Sequence, residues 1–147
     1  MEKTVTTLIV DDSDQSRDWL RHKLVGLGCL VVGEAENAAE GLERFEALHP
    51  RLVTLDILMP DIGGMAAIDL LRRISRENAE VAVLVVSVRP LADSHDFLKL
   101  GAIGYLEKPF IDFEAAAKLL KAYFPELEKN ANLGKRRGIS SRLAHKF

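Results

Sequence analysis

Short apolar runs alternate along the chain with longer stretches in which apolar residues recur about once per helical turn. The first run, at residues 5–10, is rich in β-branched residues and stops at Asp11-Asp12-Ser13, whose carboxylates and hydroxyl can cap a helix. Helical spacing then continues to glycines at 26 and 28. The same alternation repeats, which predicts strands at residues 5–10, 30–33, 52–55, 81–86 and 103–106, and further helices at about residues 38–48, 66–76, 91–100 and 112–123.

The predicted strands are apolar throughout and do not alternate with polar residues. Strands of this kind are buried on both faces, which is typical of a parallel sheet covered by helices on each side. Five strand-helix pairs therefore predict an α/β, flavodoxin-like (βα)5 three-layer sandwich with a five-stranded parallel sheet of order 2-1-3-4-5. In such sheets the ligand site lies beyond the carboxyl ends of the strands.

Polar side chains follow four of the five predicted strands. Asp11 and Asp12 come after the first strand, Asp56 after the third, Ser87 after the fourth and Lys108 after the fifth. Three carboxylates in a small site repel one another, and a hard divalent cation relieves that repulsion. The sequence thus predicts a site for Mg²⁺, or Mn²⁺, whose oxygen ligands are Asp11, Asp12 and Asp56.

Asp56 is the best candidate for a nucleophile toward phosphorus. One carboxylate of such a site can form an acyl phosphate while the metal and a lysine neutralise the phosphoryl oxygens. Ser87 can donate a hydrogen bond to one of these oxygens and Lys108 can pair with another. A strand-end aspartate often only caps the next helix, and for Asp11 or Asp12 alone that alternative is equally good. It is poorer for Asp56, because prolines and glycines at residues 60–64 delay the next helix.

Three segments resemble the signatures of response-regulator receiver domains, and the likeness runs over about residues 6–123. They are LIVDDS at residues 8–13, DILMPDIGG at residues 56–64 and GAIGYLEKPF at residues 101–110. The resemblance implies that Asp56 accepts a phosphoryl group from a histidine kinase, a phosphotransfer protein or a small phosphodonor. It also implies that Asp12, Asp56 and the Leu58 carbonyl bind the metal ion while Asp11 assists, and that no other cofactor is needed.

The same resemblance implies a cis peptide between Lys108 and Pro109, and a relay in which Ser87 moves toward the phosphate and the ring of Tyr105 turns inward. The surface of the fourth helix, fifth strand and fifth helix then changes. This face is expected to bind an unknown downstream protein and is a candidate surface for dimerisation.

Two departures from the family pattern concern the region after the fourth strand. Val88 follows Ser87 where the family usually has a very small residue, which suggests a narrower path for a phosphodonor or water to Asp56. Arg89-Pro90 should delay the fourth helix.

Composition adds limits but names no partner. With 147 residues, 48% hydrophobic residues and a net charge of -2, the chain suits one domain of an ordinary globular protein. Its apolar runs are too short for a bilayer span, and no signal peptide is recognised, so a cytoplasmic protein is expected. The lone Cys29 is interpreted as a packed or half-exposed thiol, not as a reactive one.

The predicted domain covers residues 1–124, and residues 125–147 are interpreted as a basic tail or linker. The tail holds six Lys or Arg against two Glu, and a mobile, solvated tail is favoured over binding to nucleic acid or lipid.

The sequence leaves four hypotheses for the function. The leading one is a phosphorylation-controlled binding module; the second is the receiver of a longer transcriptional or enzymatic regulator whose output domain is absent. A phosphatase of the haloacid dehalogenase type needs a second aspartate two residues after the nucleophile, where this chain has Leu58. A flavodoxin would need a phosphate loop that Asp11 and Asp12 would repel.

Overall fold

The computed structural model describes residues 4–88, 94–109 and 113–128. Its centre is a five-stranded sheet in which every neighbouring pair of strands is parallel. The order is β2-β1-β3-β4-β5, which confirms the predicted flavodoxin-like topology. The strands are β1 Thr6–Val10, β2 Leu30–Ala35, β3 Leu52–Leu55, β4 Ala82–Ser87 and β5 Gly104–Glu107.

The helices pack on both faces of this sheet, and their positions follow the predicted order. They are α1 Asp14–Leu27, α2 Ala38–Leu48, α3 Ala67–Glu77, α4 Ser94–Lys99 and α5 Phe113–Tyr123, with a 3-10 turn at Ile62–Gly64. The Ser13 hydroxyl caps α1 by accepting a hydrogen bond from the Ser16 N–H at 3.2 Å. Residues 91–93 and 112, where the last two helices were predicted to begin, lie outside the described residues.

Two hydrophobic clusters form the core, one on each face of the sheet. Successive residues of β1 alternate between them: Ile9 packs in the cluster with α1 and α5, whereas Leu8 and Val10 pack in the cluster with α2 and α3. Because β1, β3 and β4 are covered on both faces, their apolar residues show no alternation in sequence. The edge strand β2 is partly exposed along most of its length.

Cys29 lies in the first of these clusters with 6% of its surface exposed, so of the two predicted states the thiol is packed and not half-exposed. Burial raises the pKa of this thiol to about 11, against a smaller lowering effect of its hydrogen bond with Thr7. A thiol with such a pKa is almost entirely protonated near neutral pH, and it takes no part in the site described below.

The chain stays packed for a few residues after α5. Phe124 and Leu127 are buried in the core, at 3% and 0% exposure. Arg51 lies over the Phe124 ring, 5.0 Å from its centroid, and pairs with Glu126 at 3.0 Å. Glu126 and Leu127 therefore contact the domain beyond the predicted boundary at residue 124, and residues 129–147 of the predicted basic tail lie outside the described residues. Among the described residues, no helix combines the length and the apolar character needed to span a bilayer.

Candidate phosphoacceptor site

Asp11, Asp56 and Lys108 directly follow their strands and Ser87 ends β4, and main-chain hydrogen bonds of the sheet hold these residues in place. The Asp11 N–H donates to the Ala35 carbonyl at 2.9 Å, and the Asp56 N–H donates to the Val10 carbonyl at 2.9 Å. The Lys108 N–H donates to the Ser87 carbonyl at 2.8 Å. Since the strands are parallel, these residues meet at one edge of the sheet.

Asp11, Asp12 and Asp56 form an acidic cluster at this edge. One carboxylate oxygen from each lies within 4.8 Å of the others. Asp11 and Asp56 are buried, at 1% and 4% exposure, whereas Asp12 is exposed to solvent. Burial raises the pKa of Asp56 above its ordinary value, and the charge of Asp11 adds to this effect while Lys108 opposes it. Asp11 therefore repels Asp56, although Lys108 acts more strongly on the Asp56 carboxyl than this repulsion does.

Lys108 joins the two buried carboxylates. Its Nζ lies 2.7 Å from Asp11 Oδ2 and 3.2 Å from Asp56 Oδ2. Burial alone would lower the pKa of Lys108, but the hydrogen bonds and charges of both carboxylates outweigh it, so the pKa is raised. The peptide between Lys108 and Pro109 is cis, as the resemblance implied. Three carboxylates and one ammonium leave the site with a net negative charge, which a bound cation would balance.

The second oxygen of each buried carboxylate accepts a main-chain hydrogen bond. Asp11 Oδ1 accepts from the Ser13 N–H at 2.9 Å, and Asp56 Oδ1 accepts from the Leu58 N–H at 3.0 Å. Both carboxylates are therefore fixed in rotation, with Oδ2 turned toward Lys108. The helix cap is Ser13, so capping does not explain Asp11. The Leu58 N–H thus contacts Asp56. That the Leu58 carbonyl binds the metal ion stays a prediction.

Ser87 brings a hydroxyl to the same edge. The residue is fully buried, and its Oγ has no hydrogen-bond partner among the described residues. A buried hydroxyl without a hydrogen-bond partner costs free energy. The hydroxyls of Thr54 in β3 and Ser75 in α3 share this feature among the described residues. Tyr105 lies on the other side of Ser87: its hydroxyl donates to the Ser87 carbonyl at 3.2 Å, and its ring stacks on Phe97 with centroids 5.8 Å apart.

A shallow cleft of about 390 Å³ opens beside Lys108. Val88 contributes to it with 57% of its surface exposed, and its effect on access to Asp56 stays a prediction. Three contributors from α1, Gln15, Ser16 and Trp19, were not predicted from the sequence. The signal was the helix beginning directly after Asp12, which places its first turns over the site. The lining residues are Ser13, Gln15, Ser16, Trp19, Val88, Lys108 and Pro109.

Comparisons with known proteins show which family the chain is similar to. The sequence-family model of the response regulator receiver domain matches residues 7–121. The chemotaxis protein CheY of Bacillus subtilis is 36% identical over 104 residues, which cover 70% of this chain and 84% of that protein. A solved structure of the CheX-CheY-BeF3-Mg complex from Borrelia burgdorferi is similar with a TM-score of 0.71 and 25% identity, covering 81% of this chain and 88% of that one.

Other relatives are longer than this chain. The protein-glutamate methylesterase/protein-glutamine glutaminase of Geobacillus kaustophilus is 36% identical over 110 residues, which cover 73% of this chain and 31% of that protein. The chain therefore spans about a third of the length of this relative.

The sheet order and the charged residues at the strand ends define a CheY-like α/β domain. The chain belongs to the response regulator receiver domain family, whose members are signalling switches of two-component systems. The phosphatase and flavodoxin alternatives are thereby set aside.

Proposed function

We propose that this chain is a receiver that takes a phosphoryl group on Asp56 and thereby switches a protein-binding surface. The observation that carries the proposal is the position of Lys108 Nζ, 2.7 Å from Asp11 and 3.2 Å from Asp56, both buried at the carboxyl ends of neighbouring strands. A cation fixed beside the acceptor carboxylate can stabilise the charge that develops on the phosphoryl oxygens during transfer.

The donor set fits Mg²⁺, or Mn²⁺, because carboxylate oxygens from three residues converge within 4.8 Å. Asp11, Asp12 and Asp56 would hold the ion, together with the Leu58 carbonyl. When bound, the ion neutralises the carboxylates and the charge on the phosphoryl oxygens. The exposure of Asp12 leaves the cluster open to an ion from solvent.

In the proposed reaction, a carboxylate oxygen of Asp56 attacks phosphorus. The bond from phosphorus to the donor's nitrogen or oxygen breaks, an acyl phosphate forms, and the leaving group takes up a proton from solvent. Lys108 pairs with one phosphoryl oxygen, and the Ser87 Oγ, which lacks a partner among the described residues, donates to another. Asp56 Oδ1 is held by the Leu58 N–H, so the attacking group needs little reorientation.

Two-component receivers interact with histidine kinases or phosphotransfer proteins and with downstream targets. For this chain, we assign the phosphodonor protein to the cleft beside Lys108, because Trp19, Val88 and Pro109 give it an apolar lining next to the site. Apolar patches at the rim of a polar site are typical of protein contacts.

The output surface is assigned to α4, β5 and α5. The link runs from Ser87 through the hydrogen bond of Tyr105 to the Phe97 ring in α4. A phosphate that draws the Ser87 side chain toward it would shift this link between two states, and the target would bind one of them better. The same face is the candidate dimer surface.

A second candidate is the receiver of a longer regulator. It is favoured by the relatives of which the chain covers a minor part, including the response regulator GacA of Pseudomonas protegens, 37% identical over 105 residues that span 48% of that protein. Reading the natural gene beyond the codon for residue 147 tests it: a downstream output domain supports this candidate, and a stop codon supports the single-domain module.

The proposed phosphorylation is tested with acetyl phosphate and Mg²⁺, followed by intact-mass measurement. Wild type should gain one phosphoryl group and Asp56→Asn should gain none. Asp61→Asn is the matched control, because Asp61 is an exposed carboxylate in the loop after Asp56 and should leave labelling unchanged. Equal labelling of wild type and Asp56→Asn would contradict the proposal. A phosphotransfer profile against the histidine kinases of the same genome would then identify the donor.

A further inference from the structure

Arg17 is a largely buried cation that the proposed chemistry does not use. Its side chain is 13% exposed, although arginine is usually solvated. The guanidinium donates to the main-chain carbonyl of Asp11, pairs with the carboxylate of Asp14, and lies 3.3 Å from Glu34 Oε1 through Nε. Its planar fork therefore meets three acceptors in three directions.

The Asp11 carbonyl belongs to the peptide that joins Asp11 to Asp12. Holding that peptide fixes the directions of two consecutive side chains, one buried and one exposed. Glu34 in β2 anchors the guanidinium from the other side, so the clamp is tied to the sheet as well as to α1. The two acidic residues are thus held in orientation by a residue outside the cluster.

We propose that Arg17 is a positioning residue for the metal site, and that it raises Mg²⁺ affinity by fixing the Asp11-Asp12 peptide. The inference rests on the proposed function, since it assumes that the acidic cluster binds Mg²⁺. Groups that orient metal ligands typically change affinity by about 10- to 100-fold when they are removed.

The direction in which Mg²⁺ affinity changes when Arg17 is replaced distinguishes a positioning role from a purely electrostatic one. Removing a positive charge near a cation site lowers repulsion, so charge alone predicts that Mg²⁺ binds more tightly without Arg17. Loss of the clamp predicts weaker binding.

Arg21 provides the matched control. It lies one turn further along α1 and pairs with the same Glu34 and with Asp18, with 39% of its side chain exposed. No hydrogen bond described for it reaches Asp11. Arg21→Gln therefore removes the same charge and one anchor of Glu34, while leaving the Asp11 carbonyl held.

The experiment is a Mg²⁺ titration of the full chain, followed by the fluorescence of Trp19, which is the only tryptophan and lines the cleft beside Lys108. The Mg²⁺-dependent rise of the thermal midpoint is a second readout. The variants are Arg17→Gln, Arg17→Lys and Arg21→Gln. Arg17→Lys keeps the positive charge, but a lysine ammonium cannot make the three contacts of the planar guanidinium. It is the variant that tests the inference if Arg17→Gln fails to fold.

We expect the Mg²⁺ Kd to rise about tenfold in Arg17→Gln, to rise by a smaller factor in Arg17→Lys, and to stay within about twofold of wild type in Arg21→Gln. Unchanged or tighter binding in both Arg17 variants would overturn the inference, and so would equal weakening in Arg17→Gln and Arg21→Gln. A wild-type chain that binds no Mg²⁺ would instead overturn the proposed metal site itself.

Discussion

The hydroxyl of Tyr105 donates a hydrogen bond to the main-chain carbonyl of Ser87 over 3.2 Å. Ser87 is also the residue whose buried Oγ has no partner among the described residues, so the ring is attached to β4 beside the group that would sense a phosphate. On its other side the ring stacks on Phe97, with an angle of 4° between the two planes. Tyr105 therefore connects the site edge of the sheet to α4.

The variant Tyr105→Phe tests how much this hydrogen bond contributes to the free energy of unfolding. The variant keeps the ring and its stacking on Phe97 but loses the hydroxyl. The Ser87 carbonyl still accepts from the Lys108 N–H, so the free energy of unfolding should fall by only about 0.5–1 kcal/mol in urea denaturation. Labelling of Asp56 by acetyl phosphate should not change, because the hydroxyl bonds to a carbonyl and not to the acidic cluster. A variant that folds normally but labels much more slowly would contradict this assignment.

Val88→Ala should speed both gain and loss of the phosphoryl group. Val88 lines the cleft beside Lys108, and shortening its side chain widens the path to Asp56 for a phosphodonor and for water. We expect each rate to rise about three- to tenfold, which corresponds to less than about 1.4 kcal/mol in the barrier. Acetyl-phosphate labelling and decay of the labelled protein measure the two rates.

The control for this prediction is Val25→Ala. Val25 is similarly exposed, at 53%, but lies near the other end of α1, roughly 16 Å along the helix from its start beside the site. Its rates should match wild type. Equal labelling rates for wild type and Val88→Ala would mean that this side chain does not limit access.

Asp56→Asn should stabilise the metal-free protein at neutral pH. Burial raises the pKa of Asp56 above its ordinary 3.8, so the native state binds the proton more tightly than the unfolded chain. The native state therefore loses stability as the pH rises above that value and the carboxyl ionises. Asparagine removes this cost. In EDTA the variant should show the higher urea midpoint at pH 7, with the difference vanishing below about pH 4.

Saturating Mg²⁺ provides the check on this interpretation. Mg²⁺ should raise the urea midpoint of wild type more than that of Asp56→Asn, because the variant lacks one carboxylate ligand. A wild type that is the more stable protein at pH 7 in EDTA would mean that the ion pair of Asp56 with Lys108 outweighs the cost of burial.

The sequence predicts the fold well because its main signals are local and repeated. Apolar strands buried on both faces fix the sheet class, and the residues directly after them, such as Asp56 and Lys108, must then meet at one edge. What the sequence does not reveal depends on side-chain directions set by packing. The bonds from Arg17 to the Asp11 carbonyl and to Glu34, and the bond from Tyr105 to the Ser87 carbonyl, reach beyond one helix or strand, and no regular spacing in the chain encodes them.

The connection between α4 and β5 offers a last test, of packing near the proposed output surface. Gly101 has φ +110°, and a Cβ at this position would lie 2.3 Å from Ser75 Oγ in α3. Gly101→Ala therefore adds backbone strain to a steric clash and should lower the free energy of unfolding by about 2–4 kcal/mol. Gly26→Ala is the matched control: Gly26 lies inside α1 with nothing within 4 Å of the added Cβ, so it should gain about 0.5–1 kcal/mol. Urea denaturation of both variants measures the two changes in the free energy of unfolding. If Gly101→Ala lost no more stability than Gly26→Ala gained, the steric clash with Ser75 would be relieved by small local movements, and the prediction would be wrong.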